Sequence, residues 1–387
     1  MKFFHLSDLH IGKQLHGFSL IGDQIYILDR ILELIRERKP DAVLIAGDIY
    51  DKSAPAGDAV AVFDRFLTGL SGIPDRPVVC IVSGNHDSQE RISFGSRLFS
   101  RHGIHIVGRA PDRENPKIAK LVLKDGEGDV NLYLLPFFRP SYVREIPGLE
   151  NVKTYEEAME ALINITAPDF SGRNVLLCHQ FFTAGGKAPE RSDSETVNVG
   201  GQDNIDVSVV SGFDYVAAGH IHRPQNVGCG HVRYCGSPLK YSVSEAGHVK
   251  TLTEVTLGKK GEIQTENIPL VPLHDVRRIQ GKLGVLTDPE TLAQADPEDY
   301  VSAVLTDEEE LYEPGQALSR VYPRLLEWRV ENSRTRYEMQ ESGNADVKKG
   351  ALELFGDFYE LMRGVPMTEE QRAVMEEIVR EAGGDRE

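Results

Sequence analysis

The chain has no apolar run long enough to span a membrane. Met1 leads straight into Lys2-Phe3-Phe4-His5-Leu6, too short and too polar for a secretory leader, so a cytoplasmic location is expected. Cysteine is scarce, with four in 387 residues and no framework spacing, which excludes a disulfide-stapled fold and fits a reducing compartment. Cys80 and Cys178 sit inside apolar runs and read as buried thiols. Cys229 and Cys235 flank His231, but their glycine-rich surroundings read as a hairpin rather than a zinc site. There is no internal repeat, no low-complexity tract and no basic surplus.

The formal net charge of −17 argues against a partner as acidic as a nucleic acid until its distribution is seen. From Leu286 to the end, 11 Lys+Arg face 25 Asp+Glu, a balance of −14, which leaves 32 against 35, or −3, for residues 1 to 285. Two divalent cations would more than offset that remainder. No strong basic stripe is present either, so a nucleic-acid ligand, if there is one, would have to be gripped jointly with a partner.

With 40% hydrophobic and 27% charged residues, the chain is that of a soluble globular protein, and its length predicts two or three units. Strands are expected at Lys2–Ser7, Ala42–Ala46, Val78–Val82, Asn174–Cys178 and Tyr215–Ala218, with more at Leu121–Leu123, Asn131–Leu135, Val232–Cys235 and Thr251–Thr256. Helical spacing marks Ile25, Leu28, Ile31, Leu32 and Ile35, then Val62, Phe63, Phe66, Leu67 and Leu70. A β/α start followed by extra strands predicts an α/β protein of two packed sheets with helices outside. The pattern changes around Pro269–Asp275. Strands near Val276–Gln280, Tyr300–Thr306 and Leu325–Val330, and a helix around Gly315–Val321, predict a smaller acidic unit. The polar stretch 332–349 reads as a linker, and the segment 350–387 as two short helices.

Five apolar runs end in metal-binding types of residue: Asp8-Leu9-His10, Gly47-Asp48-Ile49-Tyr50-Asp51, Gly84-Asn85-His86-Asp87, His179-Gln180 and Gly219-His220-Ile221-His222. Ligands of open α/β sheets collect at the carboxyl ends of strands. Those ends would gather Asp8, His10, Asp48, Asn85, His179, His220 and His222 in one crevice. A mixture of oxygen and imidazole donors suits manganese, iron or zinc rather than calcium, and the lack of thiolate argues against structural zinc. A lone histidine or aspartate at a strand end is commonly a packed or turn residue, but recurrence at five ends is hard to obtain by chance.

These motifs resemble the calcineurin-like metallophosphoesterase superfamily. Within it, Asp8-Leu9-His10-Ile11-Gly12-Lys13, Gly236-Ser237-Pro238-Leu239-Lys240-Tyr241-Ser242 and the small acidic unit resemble the SbcD family, the nuclease subunits of bacterial SbcCD complexes. The resemblance implies a four-layer α/β/β/α sandwich over 1–270, a small α+β capping domain over 271–331 and a helical tail. It implies that Asp8, His10 and His222 take one divalent ion, that Asn85, His179 and His220 take the other, and that Asp48 bridges. His86 would act on the leaving oxygen as a general acid. Asp51 would orient His86, with Asp87 the second choice and a plain turn the alternative for Asp51. Lys13, Gln14, His16, Lys240 and Tyr241 are placed to touch DNA or to remain structural.

The implied activity is a manganese-dependent nuclease on double-stranded ends and hairpins, working with the SMC-like ATPase SbcC as a homodimer within a heterotetramer. Helical stretches after Gly57 and Gln89 are the expected dimer elements. Another calcineurin-like phosphodiesterase or phosphatase acting on nucleotides is the alternative. A serine/threonine phosphatase would carry Arg-Gly after the second aspartate, where this chain has Asp51-Lys52-Ser53. A metal-free scaffold is disfavoured by the complete donor set. In the tail, Leu352, Phe355, Phe358, Tyr359 and Met362 mark one helical face; Gly364-Val365-Pro366 breaks it. Thr368-Glu369-Glu370-Gln371 reads as a capping box before Ala373, Val374, Ile378 and Val379. The resemblance implies docking of this tail on the SbcC coiled coil.

Overall fold

The computed structural model describes residues 1–195, 204–228, 230–333, 351–363 and 366–382. Cys229, most of the expected linker (334–349), the tail's first residue Gly350, and Gly364 and Val365 of the expected break lie outside the described residues.

Two six-stranded sheets form the body. The first runs in the order Ile263–Pro269, Thr251–Leu257, Lys2–Leu6, Ala42–Ala46, Val78–Val82, Ile104–Val107. Its last four strands are parallel, and Thr251–Leu257 pairs antiparallel with Lys2–Leu6. The second runs Gln225–Val227, Val232–Tyr234, Tyr215–Gly219, Arg173–His179, Gly128–Leu135, Ala119–Asp125, parallel through its centre.

Strand alternation decides which side chains each sheet turns inward. Phe3, Leu44, Ala46, Cys80 and Val82 meet Leu132, Leu134, Val175, Leu177 and Ala217 between the sheets. The alternate residues face helices. Phe4, Val43, Ile45 and Ile81 pack on Ile21–Arg38 and Gly57–Ser71, and Leu176, Cys178, Val216 and Ala218 pack on Tyr155–Thr166. The four layers are therefore helix, sheet, sheet, helix, and the two central strand bundles read as nearly unbroken apolar runs because both faces are covered.

Helix Ile21–Arg38 shows the expected stripe, burying Ile27, Leu28, Ile31, Leu32 and Ile35, with Asp23 in its first turn and Lys39 in the left-handed region at its end. Several elements were not anticipated, among them one helix and two edge strands. Helix Tyr155–Thr166 starts at a full capping box between Thr154 and Glu157. The edge strands Ile104–Val107 and Ile263–Pro269 owe their form to their neighbours; Ile263–Pro269 is mostly exposed and polar but is paired along its length with Thr251–Leu257.

A third, three-stranded parallel sheet comprises Val276–Gly281, Tyr300–Leu305 and Leu325–Val330, with its own core of Leu286, Val301, Ala303, Leu305 and Leu318. It is fastened to the first helix by one buried carboxylate. Asp23 accepts from the His274 backbone N–H (3.2 Å), lies 2.9 Å from His274 Nδ1 and accepts from the Tyr300 hydroxyl (3.0 Å). Helices Ala351–Arg363 and Glu369–Ala382 follow, the second opened by the expected Thr368/Gln371 capping box. Among the described residues, no helix is long and apolar enough to cross a membrane.

Candidate metal centre

The carboxyl ends of Lys2–Leu6, Ala42–Ala46 and Val78–Val82 in one sheet meet those of Arg173–His179 and Tyr215–Gly219 in the other. That junction requires close backbone approach. A Cβ on Gly219 would lie 1.8 Å from the Ala46 carbonyl oxygen, and one on Gly84 would lie 2.1 Å from Asp48 Oδ1. Asp8, His10, Asp48 and His220 all adopt positive φ (53°, 40°, 48° and 107°), which turns their side chains out of the strand path and into the crevice.

All seven expected donors come together there. Asn85 Oδ1 lies 3.0 Å from both His179 Nε2 and His220 Nδ1. His10 Nε2 and His222 Nε2 stand 3.1 Å apart. Asp48 Oδ2 lies between the two groups, 3.4 Å from His179 Nε2 and 3.6 Å from His10 Nε2. Donor atoms of Asp8, His10 and His222 fall within 4.8 Å of one another, as do those of Asp8, Asp48 and His179.

The outward nitrogens of two of these rings have separate acceptors. His179 Nδ1 faces the Ala46 carbonyl at 2.7 Å, and His222 Nδ1 faces Ser194 Oγ at 2.8 Å. His10 Nδ1 points toward Asp51 Oδ1, 3.8 Å away, without a hydrogen bond. With a proton on Nδ1 of both His10 and His222, two Nε2 lone pairs face each other at 3.1 Å. A bound cation would stabilise that arrangement, and outer acceptors of this kind are how proteins aim imidazole ligands. The donor set therefore fits a two-metal centre.

Burial and mutual charge shift these groups in both directions. Burial pushes the Asp8 carboxyl above its ordinary range. Burial acts the same way on Asp48, but His179 and the other imidazoles outweigh it and hold that carboxyl well below the usual range. Burial disfavours charge on His179, yet the Asp48 carboxylate prevails and lifts it to about 9. Burial depresses His10 well below its ordinary value and His220 to about 3.

Other expectations need revision. The Asp51 carboxylate does not orient His86. It is the Asp51 main-chain carbonyl that lies 2.8 Å from His86 Nδ1, while the carboxylate pairs with Lys13 Nζ at 2.9 Å. Asp87 does not reach His86 either; its oxygens accept from the backbone N–H groups of Ile49, Tyr50 and Gly84 at 2.9 to 3.1 Å and brace two loops. Lys240 is engaged within the fold. Its ammonium is tied to Asp275 at 2.8 Å and donates to the Ala246 carbonyl, so it fastens the third sheet. Tyr241 is buried with its ring against His10 and His222, its hydroxyl donating to the Leu9 carbonyl. Lys13 is mostly buried against Asp51; His16 is half-exposed and 4.0 Å from Glu327 of the third sheet, and Gln14 is exposed. Ser194, Glu195, Glu245 and Lys250, which surround His222, were missed, because isolated charges and a serine in polar segments carry no pattern that separates them from surface residues.

The family model described as calcineurin-like phosphoesterase matches residues 1–224, and a model of the SbcD C-terminal type, described as type 5 capsule protein repressor C-terminal domain, matches residues 272–363. Among solved structures, the chain is similar to a dimetal phosphatase from Danio rerio, at 16% identity over 70% of this chain and 99% of that one, with a TM-score of 0.41. It is similar to the Thermus thermophilus protein TT1561, at 14% identity over 69% and 98%, with a TM-score of 0.39. Phosphopantetheinyl hydrolase from Mycobacterium tuberculosis gives 14%, 60% and 87%, with a TM-score of 0.33. The chain belongs to the calcineurin-like phosphoesterase family, and its second match gives it the domain composition of an SbcD-type subunit.

Proposed function

We propose that this chain is the nuclease subunit of an SbcCD-type complex, a manganese-dependent phosphodiesterase that acts on DNA ends and hairpins together with the ATPase SbcC in break processing and recombination. The observation that carries this reading is the coexistence, on one chain, of seven convergent candidate donors and an SbcD-type C-terminal match. The units are a phosphoesterase domain over 1–270, a capping domain over 271–331 and an SbcC-binding tail from 350.

Asp8, His10 and His222 would hold one ion, Asn85, His179 and His220 would hold the other, and Asp48 would serve both. When bound, two such cations activate a water and brace the attacking and leaving oxygens of a phosphodiester. The chain's own residues do the rest. Asp48 Oδ1 accepts from the His86 backbone N–H at 2.9 Å, which locks the His86 loop to the bridging carboxylate. With Nδ1–H donated to the Asp51 carbonyl, proton exchange falls to His86 Nε2, the geometry of a general acid for the departing oxygen.

Two surfaces support the assembly. Val60, Phe94 and Leu98 are exposed on and between the helical segments after Gly57 and Gln89, Phe94 by 84%, which suits a second copy of this chain. In the tail, Phe358, Val374 and Ile378 are about half-exposed, which suits docking on a coiled coil.

The test is cleavage of labelled hairpin and duplex DNA by the full-length protein with manganese, with and without SbcC. Cleavage stimulated by SbcC, with phosphoserine peptides left almost untouched, is expected. Vigorous phosphatase activity together with silence on every DNA substrate would assign the chain to the nucleotide or phosphatase branch of its family.

A further inference from the structure

Behind His222 lies a buried polar cluster to which no ligand role has been assigned. Glu245 is fully buried, and one oxygen accepts from the Ser194 hydroxyl and sits 3.4 Å from His222 Nδ1. Its other oxygen meets Lys250 Nζ at 2.5 Å. Lys250, 4% exposed, spends its remaining donors on the His222 carbonyl and Ser237 Oγ, each at 2.8 Å.

The main chain of His222 is gripped as well. Its N–H donates to Glu195 Oε1 at 2.8 Å, and its carbonyl also accepts from the Ser237 N–H at 3.2 Å. A Cβ on Gly236 would sit 2.6 Å from that same carbonyl. The Gly236-Ser237 segment therefore forms a wall against which His222 rests.

A buried ion pair is seldom the cheapest way to fill such a space, since apolar residues of similar volume are often as stabilising. Its placement points to an orienting task. The acceptor chain from His222 Nδ1 through Ser194 to Glu245 favours the ring form that carries its proton on Nδ1 and presents Nε2 to the crevice. Lys250 neutralises Glu245, so the carboxylate stays ionised inside the fold without moving toward the crevice.

We infer that Glu245 is the positioning residue for His222, acting through Ser194 and held in place by Lys250. This rests on the two-metal reading above, and its test separates the two. Full-length protein labelled with ¹⁵N-histidine, free of metal, reports the protonated nitrogen of His222, assigned by loss of its signals in His222→Gln. Manganese titration then gives the affinity of each ion. In the wild type, the Nδ1–H form is expected. In Glu245→Gln, a mixture of both forms is expected, together with weakening of one of the two manganese ions by roughly 10–100-fold. Ser194→Ala, milder for the fold, should shift both readouts in the same direction, and it decides the matter if Glu245→Gln does not fold.

Unchanged ring form and unchanged affinities in a folded variant overturn the inference, even where the melting temperature drops. Wild-type protein that binds no manganese overturns the two-metal reading instead, and the ring form alone then decides the role of Glu245.

Discussion

His86 and Asp51 are joined through the main chain: the ring Nδ1 lies 2.8 Å from the Asp51 carbonyl oxygen, while the Asp51 carboxylate faces Lys13. A side-chain substitution at Asp51 leaves the carbonyl in place. Asp51→Asn is therefore expected to cost far less activity than His86→Ala, which should lower kcat by roughly 10²–10⁴-fold. Both proteins should retain their metal by elemental analysis. Turnover of a simple aryl phosphodiester checks the pair, and equal losses in the two variants would return the orienting role to the carboxylate.

Asp48 stands 3.4 Å from His179 and 3.6 Å from His10, one imidazole from each donor group. Asp48→Asn removes the carboxylate's negative charge and leaves a single oxygen able to ligate. Losing only an outer hydrogen-bond partner of a ligand costs roughly 10–100-fold in affinity, so manganese binding should weaken by at least that scale. Isothermal titration that still finds two tight ions would remove Asp48 from its bridging position.

Acid should weaken one specific link between two strands of the second sheet. Arg173, 5% exposed, donates to both oxygens of Asp125 at 3.0 and 2.6 Å, and this pairing holds the Asp125 carboxyl below the ordinary carboxylate range. A carboxyl with a lowered folded pKa stabilises fully above its unfolded value of about 3.9, and that contribution disappears as pH falls through the folded value. Asp125→Asn should cost about 1–3 kcal/mol at pH 7 by urea unfolding, and progressively less below about pH 4. A gap that does not narrow in acid would mean that the pair contributes through shape rather than charge.

No expected metal donor lies beyond His222, so removing the chain from Gly350 onward should leave manganese content and cleavage of simple diesters unchanged. The same truncation should abolish co-purification with SbcC. Phe355→Ser with Tyr359→Ser should reproduce much of that loss, because Phe355 and Tyr359 line one surface depression with Val374 and Met375 of the second tail helix, and burying each aromatic contributes about 1.5–3 kcal/mol. Full-strength association of the truncated protein would place the SbcC contact elsewhere.

The layered sheets and the convergence of the seven candidate donors were legible because each of those residues follows an apolar run of strand length, and strand ends share one side of a sheet. What escaped notice follows a different logic. Asp51 acts through a carbonyl, an atom that every residue has and no sequence pattern marks. Glu245, Lys250 and Lys240 are charged residues in polar surroundings, indistinguishable by composition from a solvated loop, and only the fold reveals that they are buried. Ile263–Pro269 is a strand by pairing alone, with four consecutive exposed residues and no alternation of its own.

The division of donors between two sheets also governs when the crevice can exist during synthesis. Asp8, Asp48 and Asn85 leave the ribosome early, but Thr251–Leu257 must slot in beside Lys2–Leu6 before even the first sheet is complete. By then His179, His220 and His222 have already emerged, and the hydrogen bond from His179 to the Ala46 carbonyl can clamp one sheet to the other. Such long-range pairings form late because loop closure opposes them. A nascent chain that stops short of this strand leaves Lys2–Leu6 without its antiparallel neighbour, so the wall of the crevice that carries Asp8 and His10 is unfinished until about two thirds of the polypeptide has been made.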